Sequence, residues 1–148
     1  DVGIHAVDVA GLGGTNWTRI EAARREDAAL FEPFLDWGVP TVDALLSVRA
    51  ACPQGRLIAS GGIANGLDAG KALWLGAEMA SMAGPVLKAI SKDGTGTPDI
   101  DMASEMIQLW QEQLRLALFL TGAHDLASFA HVVGRLDDQP FVPMPGAT

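Results

Sequence analysis

The chain has 148 residues, of which 49% are hydrophobic, so it is long enough to bury a core. Its formal net charge is −8, which argues against binding the nucleic-acid backbone because that requires a basic surface. Backbone amides bind phosphate without net positive charge, so a phosphate ligand stays open. No apolar run approaches the roughly 20 residues that cross a bilayer, and we therefore expect no membrane contact.

Cys52 is the only cysteine, which permits no internal disulfide and fits a reducing, cytoplasmic compartment. We interpret it as a small apolar residue, not a nucleophile, because no histidine lies near it in sequence. The chain begins without Met, just before a strand, and shows no signal peptide. These features predict a piece of a longer protein.

The first predicted unit is a strand followed by a glycine-rich loop. Residues 3–9 read as a buried parallel strand that ends near Asp8, a residue we expect either to orient a loop or to take part in chemistry. Glycines at 11, 13 and 14 favour a tight loop with inward-pointing amides. The Thr15 hydroxyl then bonds a phosphate or a ring carbonyl, or it caps the following helix.

A second unit is expected after a short charged helix at 19–25 and a surface loop at 26–33. Trp37-Gly38-Val39-Pro40-Thr41 predicts a helix start, with Thr41 as its N-cap and Trp37 as a packing residue.

Two similar strand–turn–helix stretches follow. The uncharged strand 57–59 runs into Ser60-Gly61-Gly62 and a helix over 67–75, capped by Asn65 or Asp68 and ended by Gly76. A strand over 77–82 runs into Ala83-Gly84-Pro85 and a short helix. Neighbouring turns of this kind present backbone N–H groups and helix N-termini to an anion. The pair predicts half of a phosphate site.

The last third is predicted to be mainly helical. After an exposed loop at 91–99, helical spacing of apolar residues predicts a long helix over 100–122, and Asp125 is expected to cap a helix over 126–133. The proline-rich tail 139–148 has little reason to order by itself. We divide the domain into three βα units with the cofactor loops (1–90), terminal helices (91–138) and this tail.

Alternating strands and helices predict a parallel α/β architecture. Three units fit the carboxyl-terminal part of a TIM (β/α)8 barrel, and the alternative is an open doubly wound sheet with its crevice at the same strand ends. Three strands do not close a barrel, which typically needs about 250 residues. The isolated chain would therefore leave strand edges unpaired.

Four motifs occur in a meaningful order: DVAGLGGTNW at 8–17, WGVPT at 37–41, ASGGIANGLD at 59–68 and MAGP at 82–85. Together they resemble type 2 isopentenyl-diphosphate isomerase, the FMN-dependent enzyme of isoprenoid synthesis, over nearly the whole chain. The resemblance implies the carboxyl-terminal portion of a TIM barrel that holds FMN at its strand ends. It also implies interconversion of isopentenyl and dimethylallyl diphosphate, FMN reduced by NADPH, Mg²⁺ on the substrate diphosphate, and a homo-oligomer.

The same resemblance implies the residues that contact FMN. They are Ala10, Thr15, Gly61, Gly62, Ile63, Ala64, Ala83 and Gly84. Ala10 stands where the family often has a serine, so only its backbone is available, and Ala64 replaces a common arginine, which should weaken the hold on the phosphate.

The family's substrate and magnesium residues are expected upstream of Asp1, so we assign no catalytic or metal-binding residue here. His5, His124 and His131 lack ligand spacing and are interpreted as structural. Two alternatives remain. One is another FMN barrel, similar to 2-hydroxy-acid oxidases or IMP dehydrogenase, and the other is a non-catalytic fragment or assembly module.

Overall fold

The computed structural model describes residues 3–91, 98–136 and 139–141. The strands are β1 (Val7–Ala10), β2 (Leu57–Ser60), β3 (Met79–Ala80), β4 (Gly134–Leu136) and β5 (Gln139–Phe141). The helices are α1 (Trp17–Ala22), α2 (Thr41–Ala51), α3 (Gly66–Trp74), α4 (Gly84–Ile90), α5 (Ile100–Thr121) and α6 (Leu126–Phe129). A 3₁₀ helix (Ala28–Phe34) lies between α1 and α2. Among these described helices, none combines the length and the apolar character that a membrane crossing needs.

Strands β1, β2 and β3 form a parallel sheet in that order. The register places Ala10 opposite Ser60 and Ala59 opposite Ala80, so the carboxyl ends of all three strands lie along one edge. Strands and helices alternate through this part, which confirms the predicted α/β class. Strands β4 and β5 form a separate antiparallel pair.

Helices cover one face of the parallel sheet. Val9, Leu57 and Ala59 point to that face and are buried in a core with residues of α2 and α3. The alternate positions point the other way, and they include Asp8, Ala10 and Met79, all of them exposed. Within the described residues, this second face of the sheet, which we call the open face, has no covering layer.

Helix α5 is the longest element and confirms the helix predicted over 100–122. Asp99 caps its start by accepting the Met102 N–H at 2.9 Å, and Gly122, with φ of 74°, ends it. The helix crosses α3 closely at Gly66, where an added Cβ would lie 2.0 Å from the Trp110 carbonyl oxygen. The glycine thus permits a backbone-to-backbone crossing that a side chain would block.

Arg49 forms a buried ionic connection that the sequence did not indicate. Its side chain is almost inaccessible, at 2% exposed for the residue, and it donates to the carbonyl oxygens of Pro53 at 3.0 Å and Gly55 at 2.8 Å. It also donates to the carbonyl of Gly76 and to Glu78 Oε1, the latter at 3.3 Å. These bonds join the end of α2 to the segments that lead into β2 and β3.

Several local predictions differ from the structure. Pro40 is the N-cap of α2 and Thr41 is its first residue, so the cap assigned to Thr41 was wrong. Asn16, not Thr15, caps α1 by accepting the Arg19 N–H at 2.9 Å. The surface loop expected at 26–33 is largely the 3₁₀ helix, and Cys52 is exposed instead of packed.

The carboxyl-terminal predictions hold in part. Asp125 caps α6, as predicted, in a capping box with Ser128, but the helix ends at Phe129 and not at 133. The beginning of the tail is ordered as β5, which pairs with β4. Residues 92–97 of the predicted loop and 142–148 of the tail lie outside the described residues.

Candidate functional site

The candidate site lies where the three parallel strands end. The Gly11 N–H donates to the Ser60 carbonyl at 3.3 Å, and the Ser81 N–H donates to the Ala59 carbonyl at 2.8 Å. The pairing therefore continues just past the strand ends. As a result, the loops after β1, β2 and β3 start side by side.

The first two loops touch backbone to backbone. Gly61 and Gly62 have φ of 87° and 81°, conformations that L side chains rarely adopt. A Cβ on Gly62 would lie 2.9 Å from the Gly13 carbonyl oxygen, and one on Gly14 would lie 2.8 Å from Gly61 Cα. These glycines thus let the two loops pack together, a role that the sequence reading did not assign to them.

The turn after β2 carries two backbone amides that make no hydrogen bond within the described residues. They are the N–H groups of Gly62 and Ile63. The Ile63 side chain is buried in the core, so only its backbone faces a ligand. The Ala64 N–H, by contrast, donates to Asp68 Oδ2 at 3.3 Å.

The turn after β3 leads directly into α4. Ala83 is the N-cap, Gly84 is the first helical residue, and Pro85 follows, as predicted for a residue without an N–H. An added Cβ on Gly84 would meet no atom within 4 Å. The space over Gly84 is therefore open in the part of the chain that the structure describes.

Two cavities border this edge of the sheet. One, of 390 Å³, is lined by Ala10 and Thr15 together with Trp17 and Trp37. The other, of 230 Å³, lies between α2 and α3 and borders Gly61, Gly62 and Ile63. The predicted ligand residues thus divide between the two cavities, while Ala64, Ala83 and Gly84 line neither.

Asp8 lies on the open face of the sheet and is bonded to the next strand. The Ser60 hydroxyl donates to Asp8 Oδ1 at 2.6 Å, a bond between β1 and the residue just before the Gly61-Gly62 turn. This agrees with the loop-orienting alternative for Asp8. A chemical role for the carboxylate stays a prediction.

Ion pairs hold the segment between α1 and α2 near the larger cavity. Arg19 Nη2 lies 2.7 Å from Asp36 Oδ1, and Arg25 donates to both oxygens of Asp27. The hydrogen bond from Arg25 holds the pKa of Asp27 below its usual value. Trp37 is 76% exposed and stacks on Phe34, with ring centroids 5.3 Å apart, so it packs at the surface and not in the core.

The three histidines are exposed and scattered: His5, His124 and His131. No group of three or more His, Cys, Asp or Glu side chains in the described ranges could hold a metal ion. The two cavities offer backbone groups, aromatic rings, the side chains of Thr15 and Thr41, and the charged side chains of Asp68 and Lys71.

Residues 1–134 match a protein family described as FMN-dependent dehydrogenase. The chain belongs to this family. Its description names the flavin that the resemblance implied.

Curated relatives of this FMN-dependent dehydrogenase family member carry the name isopentenyl-diphosphate delta-isomerase. The protein from Stutzerimonas stutzeri (strain A1501) is 48% identical over 130 residues, and that match covers 86% of this chain but 36% of the relative. The Xanthobacter autotrophicus protein is 43% identical over 134 residues, covering 89% of this chain and 37% of the relative. The Rickettsia bellii (strain OSU 85-389) protein is 37% identical over 143 residues, covering 95% of this chain and 40% of the relative. The predicted resemblance is confirmed, and the chain spans little more than a third of these relatives.

Proposed function

We propose that this chain is the carboxyl-terminal part of an FMN-dependent enzyme that interconverts isopentenyl and dimethylallyl diphosphate. In this proposal the chain supplies the phosphate side of the FMN site. The observation that carries it is the turn after β2, where Gly62 and Ile63 offer unpartnered amides next to the turn after β3. The names of the curated relatives supply the reaction.

The arrangement of elements supports a partial TIM barrel of three βα units, ending in terminal helices and a tail. The strands are parallel and adjacent in chain order, as successive barrel strands are. A short helix, α4, also stands between β3 and the long α5. Phosphate sites of (β/α)8 barrels commonly use the loops after the last two strands and the N-terminus of such a short extra helix.

The described residues fit an FMN phosphate. Gly62 and Ile63 would donate backbone N–H groups, and the open space over Gly84 would let a phosphate oxygen approach the start of α4. Thr15 and the Ala10 backbone, in the larger cavity, would contact the ring system. Gly61 would shape the turn, Ala83 would complete the second turn, and Ala64 would contribute only after its amide leaves Asp68.

Reduced FMN, when bound, would supply acid–base chemistry to the substrate alkene. We propose that the residues for the substrate diphosphate and its Mg²⁺ lie in the part of the relatives that this chain does not cover. NADPH as the reductant, homo-oligomeric assembly and a cytoplasmic location complete the proposal.

The full-length protein tests this function. We expect it to purify with a flavin absorbance spectrum and, with reduced FMN and Mg²⁺, to convert isopentenyl diphosphate to its isomer. Loss of activity on flavin removal and recovery on FMN addition would link the cofactor to the reaction. A full-length protein without flavin affinity and without isomerisation contradicts the proposal.

The family description, FMN-dependent dehydrogenase, also favours a second candidate, an FMN-dependent oxidoreductase. For this candidate we propose 2-hydroxy acids as the substrates. Turnover of a panel of 2-hydroxy acids with an artificial electron acceptor, together with absence of isomerisation, would select this candidate. The third possibility, a non-catalytic fragment, predicts that the intact polypeptide isolated from cells has the mass of these 148 residues. Mass spectrometry of that polypeptide decides it.

A further inference from the structure

Three backbone segments converge beside the Gly61-Gly62 turn. A Cβ on Gly61 would lie 2.2 Å from the Gly11 carbonyl oxygen, and one on Gly11 would lie 2.2 Å from Thr41 Cα. The start of α2 is held against the β1 loop, since the Leu12 N–H donates to the Val39 carbonyl at 2.7 Å. The first residue of α2 therefore has a fixed place next to the turn.

That first residue, Thr41, bonds the turn directly. Its hydroxyl donates to the Gly61 carbonyl, 20 residues along the chain. Because a trans peptide is planar, the carbonyl of Gly61 and the N–H of Gly62 belong to one rigid unit and point in opposite directions. The described chain has no cis peptide bonds. A hydroxyl that holds this carbonyl thus directs the Gly62 N–H away from α2.

We propose that Thr41 is a positioning residue of the FMN-phosphate site, acting through the Gly61–Gly62 peptide. This inference rests on the proposed function. Gly62 has φ of 81° and, like other glycines, permits more than one orientation of its neighbouring peptides. The Thr41 hydroxyl selects the orientation that aims the Gly62 amide at the phosphate, so the entropic cost of ordering the turn falls on folding and not on ligand binding.

The test compares FMN dissociation constants of full-length variants by fluorescence titration. Thr41→Val keeps the branched shape without the donor, and we expect its dissociation constant to rise about 2- to 10-fold, the range for one hydrogen bond. Thr41→Ser keeps the donor and should restore most of the affinity. Thr121→Val is the matched control, because the Thr121 hydroxyl also bonds backbone carbonyls, at 2.9 and 3.0 Å, but at the far end of α5.

Wild-type affinity in Thr41→Val overturns the inference while leaving the proposed function intact, and so does an equal loss in Thr41→Val and Thr41→Ser. A wild-type protein that binds no FMN overturns both. If Thr41→Val does not fold, Thr41→Ala takes its place in the same comparison with Thr41→Ser, and the same outcomes decide. Thermal melting of the flavin-free proteins shows whether the change acts on the turn or on the whole fold.

Discussion

Charge at the turn after β2 is negative, although the proposed ligand is an anion. Asp68 accepts the Ala64 N–H at 3.3 Å and the Asn65 side-chain amide at 2.9 Å, so its carboxylate lies at the start of α3. Lys71 is 3.8 Å from the other oxygen of Asp68 and offsets part of this charge. Binding of phosphate here would therefore depend on directed amides more than on cations.

A cation at position 64 should strengthen that binding. Ala64 is exposed, so Ala64→Arg can extend into solvent without disturbing the core. We expect its FMN dissociation constant in the full-length protein to fall about tenfold at low ionic strength, in line with a charge-assisted hydrogen bond. The gain should shrink as salt is added, because an exposed charge is screened.

Ala64→Gln controls for side-chain length, since it adds polar bulk without charge. An arginine variant no better than the glutamine variant would mean that Asp68 captures the guanidinium, or that the phosphate does not lie at this turn. Titrations at two salt concentrations distinguish a charge effect from a packing effect.

Residue roles were predictable where they depended on local chain chemistry. The cap of α3, predicted at Asn65 or Asp68, is Asn65, and Gly76, predicted to follow the helix end, has a φ of 102°. Both follow from residue type and neighbours. The Thr41–Gly61 bond joins residues 20 positions apart, and the Arg49–Glu78 bond joins residues 29 positions apart. No local sequence pattern contains either pair. The one local signal for the burial of Arg49 was its position in a mainly apolar helix.

At the scale of elements, the two glycine turns differ in what their glycines do. Gly62 is enclosed by the β1 loop, and a Cβ there would lie 2.9 Å from the Gly13 carbonyl carbon. Gly84 has open space over it. A substitution at Gly62 therefore disturbs the fold and the ligand site together, whereas one at Gly84 acts on the ligand alone.

We accordingly expect Gly84→Val to bind FMN at least tenfold more weakly, about the effect of a bulky group at a close backbone approach. Its flavin-free melting temperature should stay near that of the wild type. Gly62→Ala should lower both the FMN affinity and the melting temperature, since it adds a strained φ to a steric contact. If Gly84→Val retains full flavin affinity, the phosphate does not approach the start of α4.

The Arg49 connection should dominate the stability of the β2–β3 region. Arg49→Met removes the donor to Glu78 Oε1 and to three carbonyl groups, while Glu78 Oε2 keeps the Leu57 N–H. We expect it to lower the free energy of unfolding by about 3–5 kcal/mol. Arg115→Met removes an exposed pair with Glu112 on α5 and should cost no more than about 1 kcal/mol. Urea denaturation of both full-length variants, saturated with FMN, measures the contrast, and equal losses would mean that Arg49 is not the anchor.

Elements were predictable in order and type more than in extent. Apolar periodicity placed α2, α3 and α5, and β2 followed from a short uncharged run between turn residues. The 3₁₀ helix Ala28–Phe34 was not predicted, because its seven residues include Pro33 and are too few to show a helical period. The stack of Phe34 on Trp37 packs its end. The pairing of β5 with β4 depends on a contact between two segments that are each too short to predict alone.

At the scale of the molecule, the open face of the sheet bears on the proposed partial barrel. Ile58 is half-buried there and Met79 is 59% exposed, although strands of a parallel sheet are normally covered on both faces. In a closed barrel this face would line the packed interior. The 148-residue chain by itself should therefore self-associate, with light scattering showing a mass that rises with concentration.

The substitution Met79→Glu should have opposite effects in the 148-residue chain and in the full-length protein. In the 148-residue chain the carboxylate would face water and reduce self-association. In the full-length protein the same carboxylate would be enclosed, and the desolvation of its charge should lower the free energy of unfolding by roughly several kcal/mol. Phe119→Glu, at a 78% exposed position on α5, is the control and should show no such reversal. A full-length protein that tolerates Met79→Glu as well as the shorter chain does would show that this face is not enclosed, which contradicts the proposed barrel.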